Sequence, residues 1–406
     1  PGIYLREEDG YGLFPNISLR GVDTSRSAKV TLMEDGILAA PAPYAAPSAY
    51  YSPTTGRMDG LELLKGTSQV KYGPHSTGGV VNYISTPIPE QQRMFLRSQY
   101  GENNDLRVHG IYGNTVETSA GRIGFVVEAY LRNTDGFKHI DAAPGFNGTD
   151  ETGFYNIEPM VKLAWEPRTA VYQRLEFKYG YTDKEADETY LGLSTEDFRE
   201  DPYRRYSASQ FDNIDTEQHR TYLRYFVSPT DNLDIVTTAY YNEFARNWYK
   251  LNDIRSVAGG LAVNMNMSSA LAGAEGGTGL DCLRGNLACG LRVRANNRYY
   301  EARGVQSDIE WRFQTADLDH ALGFGVRYHN DLEGRFQWQD IYDQDDTGAI
   351  NGVNRGIPGS QDNREAETSA VAFYLQDTIR TGKWIFKPGL RYETLDMENR
   401  DFRPGG

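Results

Sequence analysis

Hydrophobic and polar residues alternate along most of the chain after its first quarter. In the stretch 121–132, the odd positions carry apolar side chains such as Val127, and the even positions include charged ones such as Glu128. Neighbouring side chains of a β-strand point to opposite faces, so such a strand has one apolar face and one polar face. The same division recurs in 171–182 and 303–314. The pattern therefore predicts antiparallel strands with an apolar environment on one face and water on the other.

The predicted strands are long, and the links between them alternate in length. Eleven strands are predicted, near 93–101, 105–116, 121–132, 154–165, 171–182, 217–227, 232–249, 299–314, 318–335, 364–379 and 383–398. Short turns lie at 117–121, 166–170, 228–232, 315–319 and 380–383, and long polar links lie at 133–153, 184–216, 250–298 and 336–363. Such strands suit a tilted crossing of a hydrocarbon layer roughly 25 Å thick, and this asymmetry of the links is typical of an outer-membrane barrel.

An odd, open sheet would leave two unpaired edges in lipid, where unsatisfied backbone groups are too costly. We therefore expect the chain to form the first half of a barrel whose remaining strands lie downstream of Gly406. The chain also opens without a signal peptide, so we expect a leader and an upstream segment before Pro1.

The first 91 residues follow a different pattern. Short apolar pairs, such as Val80 and Val81, are separated by glycines, and Asp35-Gly36 is a strong turn signal. Glycine permits positive φ angles and close approach of chain segments, so these residues favour short strands joined by tight turns. We predict a compact domain over residues 1–91 and a barrel domain over residues 92–406.

Composition excludes several classes of function. The chain has 42 basic and 56 acidic residues and no basic stripe, which argues against nucleic acid as a partner. No apolar run reaches the roughly 18 residues that a transmembrane helix needs, and a mean hydropathy of −0.61 is compatible with alternating apolar positions. The six histidines are scattered and no catalytic motif is present, so we predict no enzyme, no cofactor and no metal site.

Five motifs in the first 85 residues carry a resemblance to a known family. They are PGI (1–3), ISLRG (17–21), LMEDGI (32–37), MDGLELLKGTSQVKYG (58–73) and GGVVNYIS (78–85). In this order they resemble the plug of TonB-dependent outer-membrane transporters, most closely the ferric-citrate receptor branch. The resemblance implies an all-β fold with a small α/β plug inside a transmembrane antiparallel barrel of about 22 strands, of which about 11 lie in this chain.

The resemblance also implies a function. It indicates a protein of the Gram-negative outer membrane, in contact with outer-membrane lipid, that imports a ferric chelate such as ferric citrate or a carboxylate siderophore. Import would be energised by a TonB-type partner that pulls on a segment N-terminal to Pro1. An importer of cobalamin, another metal chelate or an oligosaccharide on the same plugged barrel is the alternative. A passive porin fits less well, because a porin has no such N-terminal domain.

A proline-rich segment at 38–53, here named the apex segment, is the clearest candidate for ligand contact in the first domain. Its candidate ligand-binding residues are Tyr44, Ser48, Tyr50 and Tyr51. Prolines lower the cost of ordering a loop on binding, and tyrosines offer broad amphipathic contact faces. These tyrosines either contact ligand or pack against the barrel wall. Citrate receptors carry glutamines where Ala46 and Ser48 stand, so the resemblance leaves a bulkier or different chelate open.

Three arginines near the ends of long strands are candidates for gripping an anionic chelate. A guanidinium binds carboxylates in bidentate fashion. The resemblance implies that Arg246 and Arg298 match loop-base arginines that hold citrate carboxylates, and that Arg364 matches a third only approximately. The alternative is that each arginine is a surface residue paired with neighbouring acids.

The longest predicted link, 250–298, contains both cysteines. We expect a local disulfide between Cys282 and Cys289, because two thiolates alone cannot complete a tetrahedral metal site. A short helix is predicted within 265–274, followed by a hairpin over 282–289. We hypothesise that this loop folds over bound ligand.

Overall fold

The computed structural model describes residues 2–403, with the backbone alone for residues 67–69. Pro1, which opens the first quoted motif, and residues 404–406, which end the second predicted domain, lie outside the described residues. Two small sheets form an N-terminal domain, and one long antiparallel sheet follows it.

The N-terminal domain contains six short strands. They are β1 (Ile3–Arg6), β2 (Asn16–Leu19), β3 (Thr31–Glu34), β4 (Ile37–Leu38), β5 (Met58–Leu64) and β6 (Val80–Ser85). β1 pairs with β2, and the other four form a sheet of order β4-β3-β6-β5 in which only β3 and β6 are parallel. Its short 3-10 helices span Ser25–Ser27, Thr55–Arg57 and Gly66–Lys71. The turn from β3 to β4 places Asp35 and Gly36 at positive φ, as the Asp-Gly signal predicts.

The remaining elements build the long sheet and the long links between its strands. These links lie at the end of the sheet opposite the short turns, here named the outer end. The strands are β7 (Arg93–Tyr100), β8 (Leu106–Thr118), β9 (Gly121–Thr134), β10 (His139–Asp141), β11 (Phe154–Glu166), β12 (Tyr172–Ala186), β13 (Arg204–Tyr206), β14 (Asn213–Thr230), β15 (Leu233–Arg255), β16 (Met265–Asn266), β17 (Cys289–Thr315), β18 (Leu318–Gln344), β19 (Ile350–Asn354), β20 (Asp362–Thr381), β21 (Trp384–Phe386) and β22 (Gly389–Asp401). The helices are α1 (Thr195–Glu200), α2 (Met267–Leu271) and α3 (Thr278–Leu283), and 3-10 turns span Glu102–Asn104, Ser207–Ser209 and Glu275–Gly277.

Long strands pair with their neighbours in chain order from β7 to β20, and β21 and β22 both pair with β20 as two pieces of the last strand. This makes eleven long strands among the described residues, as predicted. Most of them are longer than the sequence pattern indicated, and the three longest are β15 with 23 residues and β17 and β18 with 27 each. The predicted link at 250–298 is therefore wrong in its bounds, because residues 250–255 and 289–298 continue the ladder between β15 and β17.

The two faces of the sheet differ in the way that the alternation predicted. On β9, the Val127 side chain is 50% exposed on the outer face, whereas Glu128 is 1% exposed beneath the N-terminal domain. Glu128 accepts a hydrogen bond from the Thr86 hydroxyl at 3.0 Å. The outward orientation of the apolar residues is thus confirmed, and the polar inner face contacts the N-terminal domain.

Buried ion pairs hold the N-terminal domain against this inner face. The Lys178 ammonium of β12 lies 2.6 Å from both the Glu34 and the Asp35 carboxylates at the end of β3. Arg57 pairs with Glu158 of β11 in the same region. Because all of these side chains are buried, each charge depends on its partner rather than on water.

The links at the outer end of the sheet form a packed layer of their own. Residues from the links 187–212 and 256–288 share a hydrophobic cluster with the outer parts of β15, β17 and β18. Cys282 and Cys289 are joined by a disulfide with an S–S distance of 2.05 Å. The predicted short helix corresponds to α2, but the predicted hairpin is wrong, since Cys282 belongs to α3 and Cys289 begins β17. None of the helices in residues 2–403 has both the length and the apolar character to cross a membrane.

Candidate ligand-binding site

Four arginines on the inner face lie opposite one another on four neighbouring strands. Arg246 of β15 is in register with Arg298 of β17, Arg298 with Arg335 of β18, and Arg335 with Arg364 of β20. Directly opposed residues of an antiparallel pair project from the same face with their Cβ atoms about 5 Å apart. The four side chains therefore form one line across the sheet, here named the arginine row.

Sequence reasoning found three members of the row and missed Arg335. A signal for it was present, because residues 327–335 read RYHNDLEGR and every second residue is ionisable. Such an alternation on a barrel strand indicates a polar inner face. It does not indicate that Arg335 is aligned with Arg298 and Arg364, which are distant in the chain.

Acidic residues only partly neutralise the row. Glu333 accepts from Arg298 Nη1 at 2.7 Å and from Arg335 Nε at 2.7 Å. Asp362 lies 3.3 Å from Arg364 Nε and 3.7 Å from Arg335 Nη1. These two carboxylates pair with three of the four guanidinium groups, and Asp401 of β22 lies in register with Arg364. Like charges on opposed residues destabilise a sheet. The row therefore keeps an excess of positive charge, which an anionic ligand would neutralise.

Arg246 is the member of the row without an acidic partner. It is 3% exposed and forms no ion pair with any residue that the structure describes. Its Nε donates a long hydrogen bond of 3.4 Å to the Tyr300 hydroxyl. Its guanidinium carbon lies 3.6 Å from the centroid of the Tyr50 ring. A buried cation without an anion is unfavourable, so Arg246 is poised to receive one.

Tyr50 brings the N-terminal domain to the row. Besides Arg246, its ring centroid lies 5.0 Å from the Arg26 guanidinium and 5.9 Å from that of Arg298. Arg26 belongs to the N-terminal domain and pairs with Glu8 at 2.5 Å. Sequence reasoning missed Arg26, because nothing in its local pattern places it beside the distant strand β15.

The other candidate residues of the apex segment lie deeper or further from the row. Tyr44 is buried against β18, where its hydroxyl accepts from Arg327 Nη2 at 2.8 Å. Tyr51 is buried with its ring centroid 6.2 Å from that of Phe244. Ser48 is half-buried in the same segment. Of the four candidate residues, the described contacts bring only Tyr50 to the arginine row.

A second cationic region lies at the opposite, short-turn end of the sheet. It borders a cavity of about 500 Å³ whose lining includes Arg174 and Lys71. Arg174 pairs with Glu176 at 2.8 Å, and Lys71 lies 3.6 Å from Asp308. Arg224 also lines this cavity and donates to the Thr238 hydroxyl and the Asp35 carbonyl. Because most of these cations have carboxylate partners, we consider this cavity a weaker anion site than the arginine row.

Two buried acids lie in the outer link 187–212, beyond the row. Burial raises the pKa of Glu188 to about 8, although Lys138 at 3.8 Å opposes the change. Burial also raises the pKa of Asp212 to about 6, while its carboxylate accepts the Leu251 N–H at 2.6 Å. Within residues 2–403, no group of three or more histidine, cysteine or acidic side chains has the arrangement of a metal site.

Two family models match the sequence. The model described as "TonB dependent receptor-like, beta-barrel" matches residues 164–406, and the model described as "TonB-dependent Receptor Plug Domain" matches residues 1–80. The barrel model alone covers more than half of the chain. The first model covers the strands that carry the arginine row, and the second covers most of the N-terminal domain.

Solved structures share the fold at low sequence identity. The unliganded ferric citrate transporter FecA is 20% identical, with a TM-score of 0.73 over 99% of this chain and 53% of that chain. The siderophore receptor PiuA from Acinetobacter baumannii is 16% identical, with a TM-score of 0.64 over 93% and 52%. The closed form of the ferric-catecholate import receptor Fiu from E. coli K12 is 15% identical, with a TM-score of 0.68 over 98% and 53%. The chain thus spans about half the length of each of these proteins.

Proposed function

Because the chain belongs to the TonB-dependent receptor family, we propose that it takes part in the import of an anionic ferric chelate with several carboxylates. The family is one of receptors and not of enzymes, and its members are proteins of the Gram-negative outer membrane. In this assignment the N-terminal domain is the plug, and the long sheet is barrel wall with its apolar outer face in lipid. We place the boundary between the two domains after residue 91, in the link between β6 and β7.

The observation that carries this proposal is the unpaired, buried Arg246 at the end of a row of arginines. A chelate carboxylate at Arg246 would satisfy a charge that the described residues leave without an anion. Tyr50 covers one face of the guanidinium, which leaves the in-plane Nη donors for a carboxylate. The ligand would then contact the plug and the wall at once.

The length of the row indicates the size of the ligand. Four neighbouring strands span three intervals of about 4.8 Å, or roughly 14 Å. A single small acid contacts only one or two of these positions, whereas a chelate with several carboxylates can reach most of them. Ferric citrate or a carboxylate siderophore has this chemistry. The absence of glutamine at Ala46 and Ser48 favours the larger ligand, since these short side chains leave room above the apex segment.

Transport of such a ligand needs work, because the plug is held in place by buried ion pairs. We propose that a TonB-type partner supplies this work through the plug. A ligand promotes release only if it binds one state of the plug more tightly than the other. Contact of one chelate with both Tyr50 and the arginine row would provide that difference.

Binding and uptake by a variant with Arg246→Gln and Arg298→Gln together test the proposal. We expect ferric citrate or a larger ferric carboxylate siderophore to quench the intrinsic fluorescence of the wild-type protein. The double variant should lose high-affinity binding and uptake, while its heat-modifiable migration shows an intact barrel. Arg303→Gln, on the outer face of β17, is the control that should bind normally. Normal uptake by the double variant would refute the role of the row.

A further inference from the structure

The inner face of β18 carries a second set of polar residues directly beside the arginine row. Its alternate positions are Arg327, His329, Asp331, Glu333 and Arg335. Glu333 and Arg335 belong to the ion pairs of the row. The first three face the N-terminal domain instead, and two of them, Arg327 and Asp331, contact its backbone.

Asp331 binds the apex segment through both of its carboxylate oxygens. Oδ2 accepts the Tyr44 N–H at 2.7 Å, and Oδ1 accepts the Ala45 N–H at 2.9 Å. Asp331 is 0% exposed, so water does not compete for these bonds. The two residues lie in a turn that the Ala46 N–H closes by donating to the Ala42 carbonyl at 2.9 Å. Hydrogen bonds to a carboxylate are roughly twice as strong as neutral ones.

Neighbouring side chains fix the carboxylate in this position. His329 Nε2 lies 3.1 Å from Asp331 Oδ2, and His329 Nδ1 lies 2.7 Å from the Tyr240 hydroxyl. Arg327 donates to the Tyr44 hydroxyl at 2.8 Å and to the Gly73 carbonyl at 2.7 Å. These bonds restrict the Asp331 carboxylate and favour one position of the turn.

The same turn is joined to Tyr50 by a short stretch of chain. The Ala49 N–H donates to the Arg26 carbonyl at 2.7 Å, so the apex segment is held at two points on either side of residues 46–48. Tyr50 follows at once, with its ring 3.6 Å from the Arg246 guanidinium. Movement of the turn away from Asp331 would therefore shift the ring that covers Arg246.

We propose that Asp331 is a positioning residue of the ligand site. It anchors the turn at residues 42–46 to the barrel wall and so keeps Tyr50 against Arg246. The anchoring is a property of the unliganded protein, whereas its effect on ligand affinity rests on the proposed function.

Asp331→Asn tests the anchor, because the amide keeps the shape but turns an NH2 group towards a backbone N–H. In hydrogen exchange of the purified protein, we expect the apex segment 38–53 to exchange about tenfold faster. Residues 58–64 of β5 should be unaffected. Asp319→Asn is the matched control. Asp319 lies at the short-turn end of the same strand, so this substitution should change the exchange of neither segment. His329→Gln should also accelerate exchange of the apex segment, but to a smaller extent. This variant tests the anchor independently if the Asp331→Asn protein does not assemble.

Chelate titration tests the positioning role. We expect Asp331→Asn to weaken binding of the ferric carboxylate probe about tenfold. In a Tyr50→Ala background the same substitution should have no further effect, because the residue acts through the Tyr50 ring. A purely structural role would give additive losses.

Unchanged exchange in both variants would overturn the anchor. Unchanged affinity in Asp331→Asn, or full additivity with Tyr50→Ala, would overturn the positioning role. If the wild-type protein binds no ferric carboxylate, the proposed function fails, and the positioning role fails with it. The anchor is then decided by hydrogen exchange alone.

Discussion

Replacing Arg246 by methionine should separate the stability of this protein from its ability to recognise a ligand. Methionine removes the positive charge but keeps an unbranched chain that packs on the Tyr50 ring through favourable sulfur–aromatic contact. The only described hydrogen bond that disappears is the 3.4 Å bond to Tyr300. The change therefore tests the charge itself more than the packing around it.

Opposite effects on the free and the liganded protein are expected. In the free protein, Arg246 is buried without an acidic partner, so loss of the charge should be neutral or should stabilise the fold by about 1 kcal/mol. In the liganded protein, the carboxylate that binds Arg246 loses a charge-assisted partner, which costs about 2–4 kcal/mol. This loss corresponds to roughly 30-fold to 1000-fold weaker binding.

Thermal unfolding in detergent and fluorescence titration with a ferric carboxylate measure the two effects. Arg174→Met is the control, since Arg174 lies on the inner face far from the row and pairs with Glu166 and Glu176 at 2.8 Å. We expect that variant to unfold more readily and to bind the chelate normally. If Arg246→Met instead lowers stability and leaves affinity unchanged, then Arg246 is a structural residue and the reasoning fails.

Two further predictions concern the ion pairs and the outer links. Lys178→Met leaves the Glu34 and Asp35 carboxylates buried without their closest cation. The substitution should therefore destabilise docking of the N-terminal domain by about 3–5 kcal/mol. Thermal unfolding measures this, and a midpoint equal to that of the wild type would contradict it. Glu188 has a pKa raised from 4.5 to about 8, so the folded link 187–212 holds a proton that the opened link releases. Its stability should therefore fall as the pH rises from about 5 to about 8, by up to roughly 5 kcal/mol. Hydrogen exchange corrected for the intrinsic effect of pH measures this. Glu188→Gln should remove the part of the dependence above about pH 6 and leave the part below it, which Asp212 contributes because its own pKa is raised to about 6.

The general architecture could be predicted from the sequence because it follows from short-range patterns. The alternation around Val127 and Glu128 determines which side of the strand faces outward, since a one-residue slip would bury the wrong set of side chains. The Asp35-Gly36 signal correctly predicts a turn with positive φ at both residues. Each of these inferences uses residues within a few positions of one another, where chain geometry leaves few choices.

The bounds of the outer elements could not be predicted in the same way. Polar residues between 250 and 298 indicate a loop, yet residues on both sides of it continue as paired strand beyond the predicted membrane crossing. These residues pair because a partner strand is present, and they pack under the cluster that Cys282 and Cys289 help to form. Local polarity carries no information about such a partner.

The sequence by itself determined the family, the number of long strands, the direction of their apolar faces and three arginines suited to an anionic ligand. Only the tertiary structure decided that Arg335 completes a row with these arginines, that Arg246 is the member without an acid, and that Tyr50 lies against it. The physical reason is register: which residues face one another depends on how separate strands and the N-terminal domain align, and that alignment is set by contacts between residues far apart in the chain.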